Sequence, residues 1–316
     1  MADLQRRLTV LGYPVGSADG VFSLAVADAV AQFQGARGLR PDGVCGEQTW
    51  AALVEAGYRI GDRRLYLRKP MMRGDDVAEL QRRLGSLGFD TGKVDGIFGP
   101  DTAAALADFQ RNAGLSVDGI CGPDELRVLH RLGRGGGDGV VTEIRELEAL
   151  RRPTALQRLR VAVGEQGGVG ALAAATANGL RQRGAEVVTL SHPDGSELAQ
   201  QANGVRAELF VELRSSGTTP GCRCAYYQGY RTTSPAGQRL AALVQSVVPA
   251  ALDAPDDGCR GMAIPVLRET RMPAVVCELG PASHLVTRSA EVADALVEAI
   301  TAWVSPAAAA SGHFSG

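Results

Sequence analysis

Histidine is scarce in this sequence: only four of the 316 residues are histidine. These four are His130, His192, His284 and His313. Histidine is the commonest protein ligand of metal ions, so few positions could supply an imidazole to a metal site. The six cysteines include no CxxC pair, and in a chain of this length they do not indicate a disulfide scaffold.

The sequence also lacks an excess of charge of either sign and a long apolar run. It has 33 basic and 35 acidic residues, which argues against a nucleic-acid-binding protein and against a polybasic membrane-surface protein. No apolar run approaches the roughly 20 residues that span a bilayer. Residues 1–8 have an amphipathic helical pattern and no signal-peptide core. We therefore predict no membrane span and, if Met1 is the true start, a cytoplasmic location.

The first half of the sequence contains an internal repeat with an offset of 76 residues and no gap. The segment Leu4–Leu8 recurs with the same letters, LQRRL, as Leu80–Leu84. The same offset relates further pairs along the chain: Asp19-Gly20 and Asp95-Gly96, Phe33-Gln34 and Phe109-Gln110, Asp42-Gly43 and Asp118-Gly119, and Cys45-Gly46 and Cys121-Gly122. Chance is a poor explanation for so many matches in the same order.

Each copy of the repeat has the pattern of three short helices joined by loops. Leucines such as Leu4, Leu8 and Leu11 are spaced to form one apolar stripe on the first helix. The Asp-Gly pairs are typical of tight turns. We predict two small all-α three-helix bundles, at 1–57 and 74–132, with an inter-repeat segment at 58–73.

The order of the motifs L-Q-x-x-L, D-G-x-F, F-Q and D-G-[VI]-x-G resembles the type 1 peptidoglycan-binding repeat. The resemblance covers each copy along its whole length, and it implies binding to peptidoglycan or its precursors. The leucine, phenylalanine and Asp-Gly positions are those that build the bundle. The sequence therefore does not identify the glycan-binding residues.

The composition changes after the second copy of the repeat. Gly133–Gly139 has the composition of a flexible linker, and a charged helical pattern follows at Thr142–Arg152. Strand patterns then alternate with helical patterns, which predicts an α/β domain with a mainly parallel sheet flanked by helices. The predicted strands lie at 159–163, 186–190, 208–213, 224–227 and 274–279. The predicted boundaries are 133–157 for the linker and charged helix, 158–306 for the α/β domain and 307–316 for the tail.

Two segments of this domain resemble the zinc-dependent N-acetylmuramoyl-L-alanine amidases of type 3. Val266–Gly280 resembles that family's segment V-L-R-x-T-x-M-P-A-V-x-x-E-x-G, and Leu209–Arg214 resembles its strand L-F-[VI]-S-[IL]-H. The resemblance implies an enzyme fold that cleaves the amide between muramic acid and the first peptide residue. It also implies Zn²⁺ held by His, Glu and His, with a separate glutamate that handles protons.

Carried over residue by residue, the resemblance places the proton-handling glutamate at Glu278. The second ligand histidine falls on Arg214, which stays cationic and has no lone pair to offer a metal. The first ligand histidine belongs near Gln166, where no histidine is present, and the loop that leads to the ligand glutamate is missing. We therefore expect no metal ligands, no zinc or other cofactor, and a catalytically degenerate amidase fold.

A zinc site rebuilt from other side chains is an alternative to this interpretation. Its candidate ligands are Glu165, Cys222, Cys224, Cys277 and His284. Without a metal, the cysteines are expected to act as small buried apolar residues. We further hypothesise that Arg214 pairs with Glu278 and holds the two strands together without zinc, the alternative being that both side chains face solvent.

The order of two repeats, a linker helix and an amidase-like domain resembles a mycobacterial group of amidase-like proteins. That resemblance implies a cytoplasmic regulator of peptidoglycan precursor synthesis that does not hydrolyse its ligand. Its expected partners are peptidoglycan-synthesis proteins and a Ser/Thr kinase, and no nucleic acid. Two alternatives remain: an active zinc-dependent amidase, and a wall-binding protein exported by a signal upstream of Met1.

Overall fold

The computed structural model describes residues 1–132, 146, 150, 155–229 and 232–304. Residues 1–132 belong to one compact unit, and residues 155–228 and 233–304 belong to a second. The predicted linker at Gly133–Gly139 and the predicted tail beyond residue 304 lie outside the described residues. So does the predicted charged helix, apart from Glu146 and Leu150.

The described part of the first unit contains six α-helices, three in each copy of the repeat. They are α1 Ala2–Val10, α2 Leu24–Ala36, α3 Glu47–Ala56, α4 Asp75–Ser86, α5 Pro100–Asn112 and α6 Pro123–Leu132. In the first copy, Leu4 and Leu8 are buried in one apolar cluster with Phe33 and Leu53. The apolar stripes therefore meet inside each copy, and the prediction of two three-helix bundles is confirmed.

A buried glutamine closes each Asp-Gly loop of the repeats. Gln34 donates through Nε2 to Asp42 Oδ1 at 2.9 Å and to the Val44 carbonyl at 3.0 Å, and its Oε1 accepts from the Gly43 N–H at 2.9 Å. The loop needs glycine, because Gly43 has a φ of +71° and a Cβ there would lie 3.1 Å from the Ala27 carbonyl oxygen. The Phe-Gln and Asp-Gly motifs therefore act together as one structural unit.

The same hydrogen-bonding pattern occurs four times in the first unit, twice in each copy. The glutamines and their loops are Gln5 with Asp19-Gly20, Gln34 with Asp42-Gly43, Gln81 with Asp95-Gly96, and Gln110 with Asp118-Gly119. All four glutamine side chains are buried. Backbone N–H groups of the loops, together with the glutamine amides, lower the pKa of Asp42 and Asp118.

The described part of the second unit is a six-stranded sheet with helices on both faces. The strands are β1 Arg160–Glu165, β2 Glu186–Ser191, β3 Leu209–Ser215, β4 Gly221–Tyr227, β5 Asp256–Met262 and β6 Ala274–Gly280. The helices are α7 Gly170–Gln182, α8 Gly195–Gly204, α9 Pro235–Leu252, α10 Pro265–Glu269, α11 Ala282–Thr287 and α12 Ser289–Val304. The strand order across the sheet is β2-β1-β3-β6-β4-β5.

The sheet is mainly parallel, as predicted. Strands β2, β1, β3 and β6 run parallel to one another, whereas β4 is antiparallel to β6 and parallel to β5. Strand β5 was not predicted from the sequence. Its residues, DDGCRGM, show no alternation of apolar and polar side chains, because it is an edge strand whose residues stay largely exposed.

The two faces of the sheet are covered by helices of different length. The long helices α7, α9 and α12 cover one face, where Leu180, Val244 and Leu296 pack in the larger apolar core. The shorter helices α8 and α10 cover the other face with Leu198 and Val266. None of the described helices is long and apolar enough to cross a membrane. At the carboxyl ends of β3 and β6, the smaller core is followed by charged side chains.

We predict that Gln34→Ala destabilises the first repeat strongly. The substitution removes the donors to the Asp42–Val44 loop and leaves the Gly43 N–H without its acceptor, which should cost about 2–4 kcal/mol of unfolding free energy. Urea unfolding followed by the fluorescence of Trp50 would measure the change.

The matched control for this experiment is Gln32→Ala, because Gln32 is exposed on the same helix. Its unfolding free energy should stay within about 0.5 kcal/mol of the unmodified chain. Equal effects of the two substitutions would contradict the role assigned to the buried glutamine.

Candidate functional site

A cluster of charged side chains lies where the carboxyl ends of β3 and β6 meet the start of β4. Side chains alternate between the faces of a strand, so Glu212 and Arg214 share the face of Phe210, which packs in the core beneath α8 and α10. By the same alternation, Glu278 of β6 and Arg223 of β4 project from this face. The carboxyl ends of parallel strands are the usual place for a ligand site in open α/β sheets. This cluster is therefore the candidate functional site.

The backbone register places these charged residues in a row across three strands. Arg214 on β3 is the register partner of Glu278 on β6. Glu278 is in turn the register partner of Arg223 on β4. The row therefore alternates in charge from one strand to the next.

Arg214 forms its ion pair with Glu212, two residues earlier on the same strand. Arg214 Nε lies 2.5 Å from Glu212 Oε1. The Glu212 side chain is completely buried, whereas about a quarter of the Arg214 side chain is exposed. The guanidinium group therefore compensates a carboxylate that water does not reach.

The electrostatic state of Glu212 reflects two opposing effects. Burial raises the pKa of Glu212, the hydrogen bond and charge of Arg214 lower it, and the negative charge of Glu278 raises it; the net shift is upward. Only one oxygen of the carboxylate is satisfied, because Glu212 Oε2 is buried without a hydrogen-bond partner among the described residues. Glu212 is thus a buried acid held by a single cation.

Glu278 lies near Arg223, and its side chain is nearly half exposed. Arg223 Nη1 lies 3.9 Å from Glu278 Oε2, and Arg223 Nη2 lies 3.7 Å from Asp257 Oδ2. In the described part of the chain, no ion pair joins Glu278 to Arg214, so the predicted pairing of these two residues is wrong. The physical reason is burial: Glu212 has lost its water and needs the counter-charge of Arg214, whereas Glu278 keeps its hydration.

Gln166, the residue predicted near the first ligand position, lies just beyond the end of β1. Its side-chain amide packs near the start of α8, where a Cβ built on Gly195 would lie 3.3 Å from Gln166 Nε2. No hydrogen bond between Gln166 and the charged cluster occurs in the described residues. The neighbouring Glu165 is buried, shares the opposite face of the sheet with Val163, and accepts hydrogen bonds from the Gly167 N–H and the Ser191 hydroxyl.

The other side chains considered for a rebuilt zinc site lie apart from the cluster. Cys222, Cys224 and Cys277 are buried in the larger apolar core, on the opposite face of the sheet from Glu212. Nδ1 of His284 lies 3.0 Å from the Leu252 carbonyl oxygen. These residues therefore fill the core or bond to the backbone, and although Cys224 Sγ and Cys277 Sγ lie 3.8 Å apart, the described residues contain no third ligand beside them that could complete a metal site.

The residues present do not fit a catalytic zinc ion. Zinc needs ligands with a free lone pair, and the guanidinium group of Arg214 has none and is already paired with Glu212. Among the described residues, no group of three or more His, Cys, Asp or Glu side chains could hold a metal ion. The candidate site is therefore a set of paired charges at the position where the family resemblance placed a metal ligand.

Sequence reasoning identified Arg214 and Glu278 but missed Glu212 and Arg223. A signal for Glu212 was present, because a glutamate two residues before an arginine on a predicted strand shares its face. The signal for Arg223 required the pairing of β4 with β6, which cannot be read from either segment alone.

Two protein families match different parts of the chain. The peptidoglycan binding domain family matches residues 1–53 and 73–129. The N-acetylmuramoyl-L-alanine amidase family matches residues 160–302. The two family models thus cover the helical repeats and the sheet with its helices, respectively.

Individual proteins show the same similarity. The chain is 35% identical over 320 aligned residues to the N-acetylmuramoyl-L-alanine amidase CwlM of Mycobacterium tuberculosis, covering 90% of this chain and 79% of CwlM. It is 34% identical to the N-acetylmuramoyl-L-alanine amidase CwlL of Bacillus licheniformis, over 36% of this chain and 38% of that protein. The crystal structure of N-acetylmuramoyl-L-alanine amidase from Clostridium difficile 630 matches 46% of this chain and 97% of its own, at 18% identity and a TM-score of 0.40. The match to CwlM and to the two family models shows that the chain belongs to the N-acetylmuramoyl-L-alanine amidase family and carries two peptidoglycan-binding repeats ahead of its amidase domain.

Proposed function

We propose that this protein is a non-hydrolysing member of the amidase family that binds peptidoglycan or its precursors and regulates precursor synthesis through protein contacts. The observation that carries the proposal is the ion pair between Arg214 and Glu212. It lies at the strand position where the family resemblance expects the second zinc-binding histidine. A ligand position has thus become a neutralised pair of charges.

The chemistry of amide cleavage explains why this change favours a role without hydrolysis. A metal ion polarises the carbonyl group and lowers the pKa of the attacking water, and a carboxylate can do neither alone. Glu278 keeps the proton-handling position, but its neighbours are Arg214 in register and Arg223 at 3.9 Å. Cationic side chains at these positions would also repel a divalent cation. The site is therefore suited to holding charge in place and poorly suited to activating water.

The rest of the proposal follows from the repeats and from the similarity to CwlM along most of the chain. Two copies of the peptidoglycan-binding repeat provide two sites for glycan-peptide material. All six cysteines are free thiols, which suits the reducing cytoplasm, where peptidoglycan precursors are made. Contacts with peptidoglycan-synthesis proteins and control by a Ser/Thr kinase complete the proposed role.

We predict that the full chain sediments with insoluble peptidoglycan but releases no peptide from muropeptides. After dialysis against excess Zn²⁺ and then against metal-free buffer, it should retain far less than one zinc per chain, measured by mass spectrometry of the metal. An active zinc-dependent amidase of the same family, treated identically, is the positive control for both measurements.

Two results would overturn parts of the proposal. One zinc held per chain, together with peptide release from muropeptides, would establish the active amidase instead. Failure to sediment with peptidoglycan, in a chain that remains folded, would remove the binding role. Detection of the natural protein only in the cell-wall fraction would favour the exported wall-binding alternative over a cytoplasmic regulator.

We also predict that Glu212→Gln removes a specific pH dependence from the stability of the second unit. Because burial raises the pKa of Glu212 above its ordinary value of 4.5, the folded chain binds this proton more tightly than the unfolded chain. The contribution of Glu212 to the unfolding free energy should therefore fall as the pH rises from 4.5 to the folded-state pKa. Urea unfolding at a series of pH values, followed by Trp303 fluorescence, would measure it.

The matched control is Glu197→Gln, because Glu197 is an exposed glutamate on α8. The unfolding free energy of the Glu197→Gln variant should equal that of the unmodified chain at each pH. The unfolding free energy of the Glu212→Gln variant should lack the fall that Glu212 causes between pH 4.5 and its folded-state pKa. Parallel curves for all three proteins would contradict the description of Glu212 as a buried acid.

A further inference from the structure

A short loop in the inter-repeat segment carries exposed apolar side chains next to basic ones. Residues 66–71, which we call the exposed loop, have the sequence YLRKPM and belong to no helix or strand. Tyr66, Leu67 and Met71 are 41%, 48% and 46% exposed. The other three residues of the loop are exposed as well. The loop therefore presents three large apolar side chains to solvent within six positions.

Both ends of the exposed loop are fixed to the core of the second repeat. At one end, Leu65 exchanges two backbone hydrogen bonds with Cys121, at 3.1 and 2.8 Å. At the other end, the Met72 carbonyl accepts a hydrogen bond from the Phe98 N–H at 2.9 Å. The side chains of Leu65 and Met72 are buried in that core. The residues directly before and after the loop are thus buried, and the loop between them projects into solvent.

The grouping of these apolar side chains distinguishes the loop from the surface that follows it in the sequence. Single exposed apolar side chains are common on soluble proteins, whereas a group of them indicates an interaction surface. Among the described residues after 74, the exposed large apolar side chains are Val117, Leu132 and Val286, which are far apart in the sequence. The exposed loop is therefore a candidate interaction surface.

The charge of this surface has one sign. Residues 63–73 contain five basic residues and no acidic residue. Arg63 pairs with the buried carboxylate of Asp76 at 2.7 Å. Arg68 and Lys69, in the middle of the loop, are exposed and form no ion pair within the described part of the chain. The near balance of acidic and basic residues over the whole sequence is an average, and it coexists with this local basic surface.

An anionic bilayer surface fits this combination better than a protein partner does. Each side of a stable protein interface contributes about 20–30 residues, far more than this short loop offers. A bilayer surface requires less, because a few apolar side chains can enter the boundary between headgroups and acyl chains while basic side chains attract anionic lipids. Arginine and lysine also keep their charged ends at the headgroups while their apolar stems lie deeper.

We propose that the exposed loop binds the surface of a bilayer that contains anionic phospholipids. Tyr66, Leu67 and Met71 enter the boundary between headgroups and acyl chains, and Arg68 and Lys69 pair with lipid phosphate groups. The binding is peripheral and reversible, because one short loop buries little apolar area. This role goes beyond the proposed function and does not rest on it.

The direct test is sedimentation of the full chain with lipid vesicles. Vesicles of phosphatidylglycerol and phosphatidylcholine should bind the chain. Vesicles of phosphatidylcholine alone should bind it at least about tenfold more weakly, because their zwitterionic headgroups do not attract the basic side chains. Raising the salt concentration should weaken binding to the anionic vesicles. Equal binding to both kinds of vesicle, or binding to neither, would overturn the proposal.

A pair of substitutions tests the basic side chains. The double variant Arg68→Gln, Lys69→Gln should bind anionic vesicles at least about tenfold more weakly than the unmodified chain. The matched control, Arg40→Gln with Arg158→Gln, removes the same charge from exposed residues outside the loop and should bind like the unmodified chain. Equal losses in the two double variants would assign the effect to net charge and would contradict a site at the loop.

A second pair of substitutions tests the apolar side chains without changing the charge. Leu67→Ser with Met71→Ser should weaken binding to anionic vesicles by about tenfold, because less apolar surface leaves water. The matched control is Val117→Ser with Val286→Ser, which makes the same kind of change at exposed apolar residues outside the loop. If the loop variant binds as tightly as this control, the proposed insertion is wrong.

The depth of insertion can be measured directly with Tyr66→Trp. On binding to anionic vesicles whose lipids carry brominated acyl chains, the fluorescence of this variant should be quenched. The unmodified chain, which contains Trp50 and Trp303, measures the background and should show little quenching. Equal quenching of the two proteins would contradict entry of the loop into the bilayer.

The same variants identify other occupants of the exposed loop. If Leu67→Ser with Met71→Ser abolishes sedimentation with peptidoglycan and leaves vesicle binding unchanged, the loop belongs to the glycan ligand, against the proposal. If this variant converts a dimer to a monomer with vesicle binding unchanged, the loop belongs to a second copy, also against the proposal. Failure to bind vesicles, with peptidoglycan binding intact, overturns the membrane role alone and leaves the proposed function standing.

Discussion

The ion pair between the buried carboxylate of Glu212 and Arg214 is the interaction on which the arrangement of the amidase-like site depends. A carboxylate that water cannot reach must be neutralised by a proton or by a nearby cation. Arg214 supplies that cation at 2.5 Å from the same face of the same strand. The guanidinium group of Arg214 therefore pairs within β3. Glu278 on β6 lies near Arg223 and is partly exposed to solvent. One buried charge thus decides the pairing across three strands.

An ion pair occupies the strand position where the family resemblance expects a metal ligand, although the sheet and its strand ends are those of the family fold. The carboxyl ends of parallel strands still bring polar side chains together, as this class of sheet commonly does. The side chains that meet there are two glutamates and two arginines, which form ion pairs with one another. The ion pair compensates the buried carboxylate of Glu212, whereas Arg214 and Glu278 stay partly exposed.

The repeats show how a side chain on one helix can fix a loop that is distant in the sequence. The L-Q, F-Q and Asp-Gly motifs predicted the helices and turns, and the structure adds that each glutamine reaches across the bundle to close an Asp-Gly loop. That role was missed because glutamine and loop are eight to fifteen residues apart, outside any helical or strand period.

The sequence by itself determined the two helical bundles, the mainly parallel sheet, and the presence of arginine where the family resemblance expects a histidine ligand. These features follow from local periodicity and from motifs that are contiguous in the chain. Only the tertiary structure decided that Arg214 pairs with Glu212, that β4 brings Arg223 to Glu278, and that each buried glutamine of the repeats closes an Asp-Gly loop. Each of these outcomes depends on which group loses its water when distant segments pack, and burial is a property of the assembled fold.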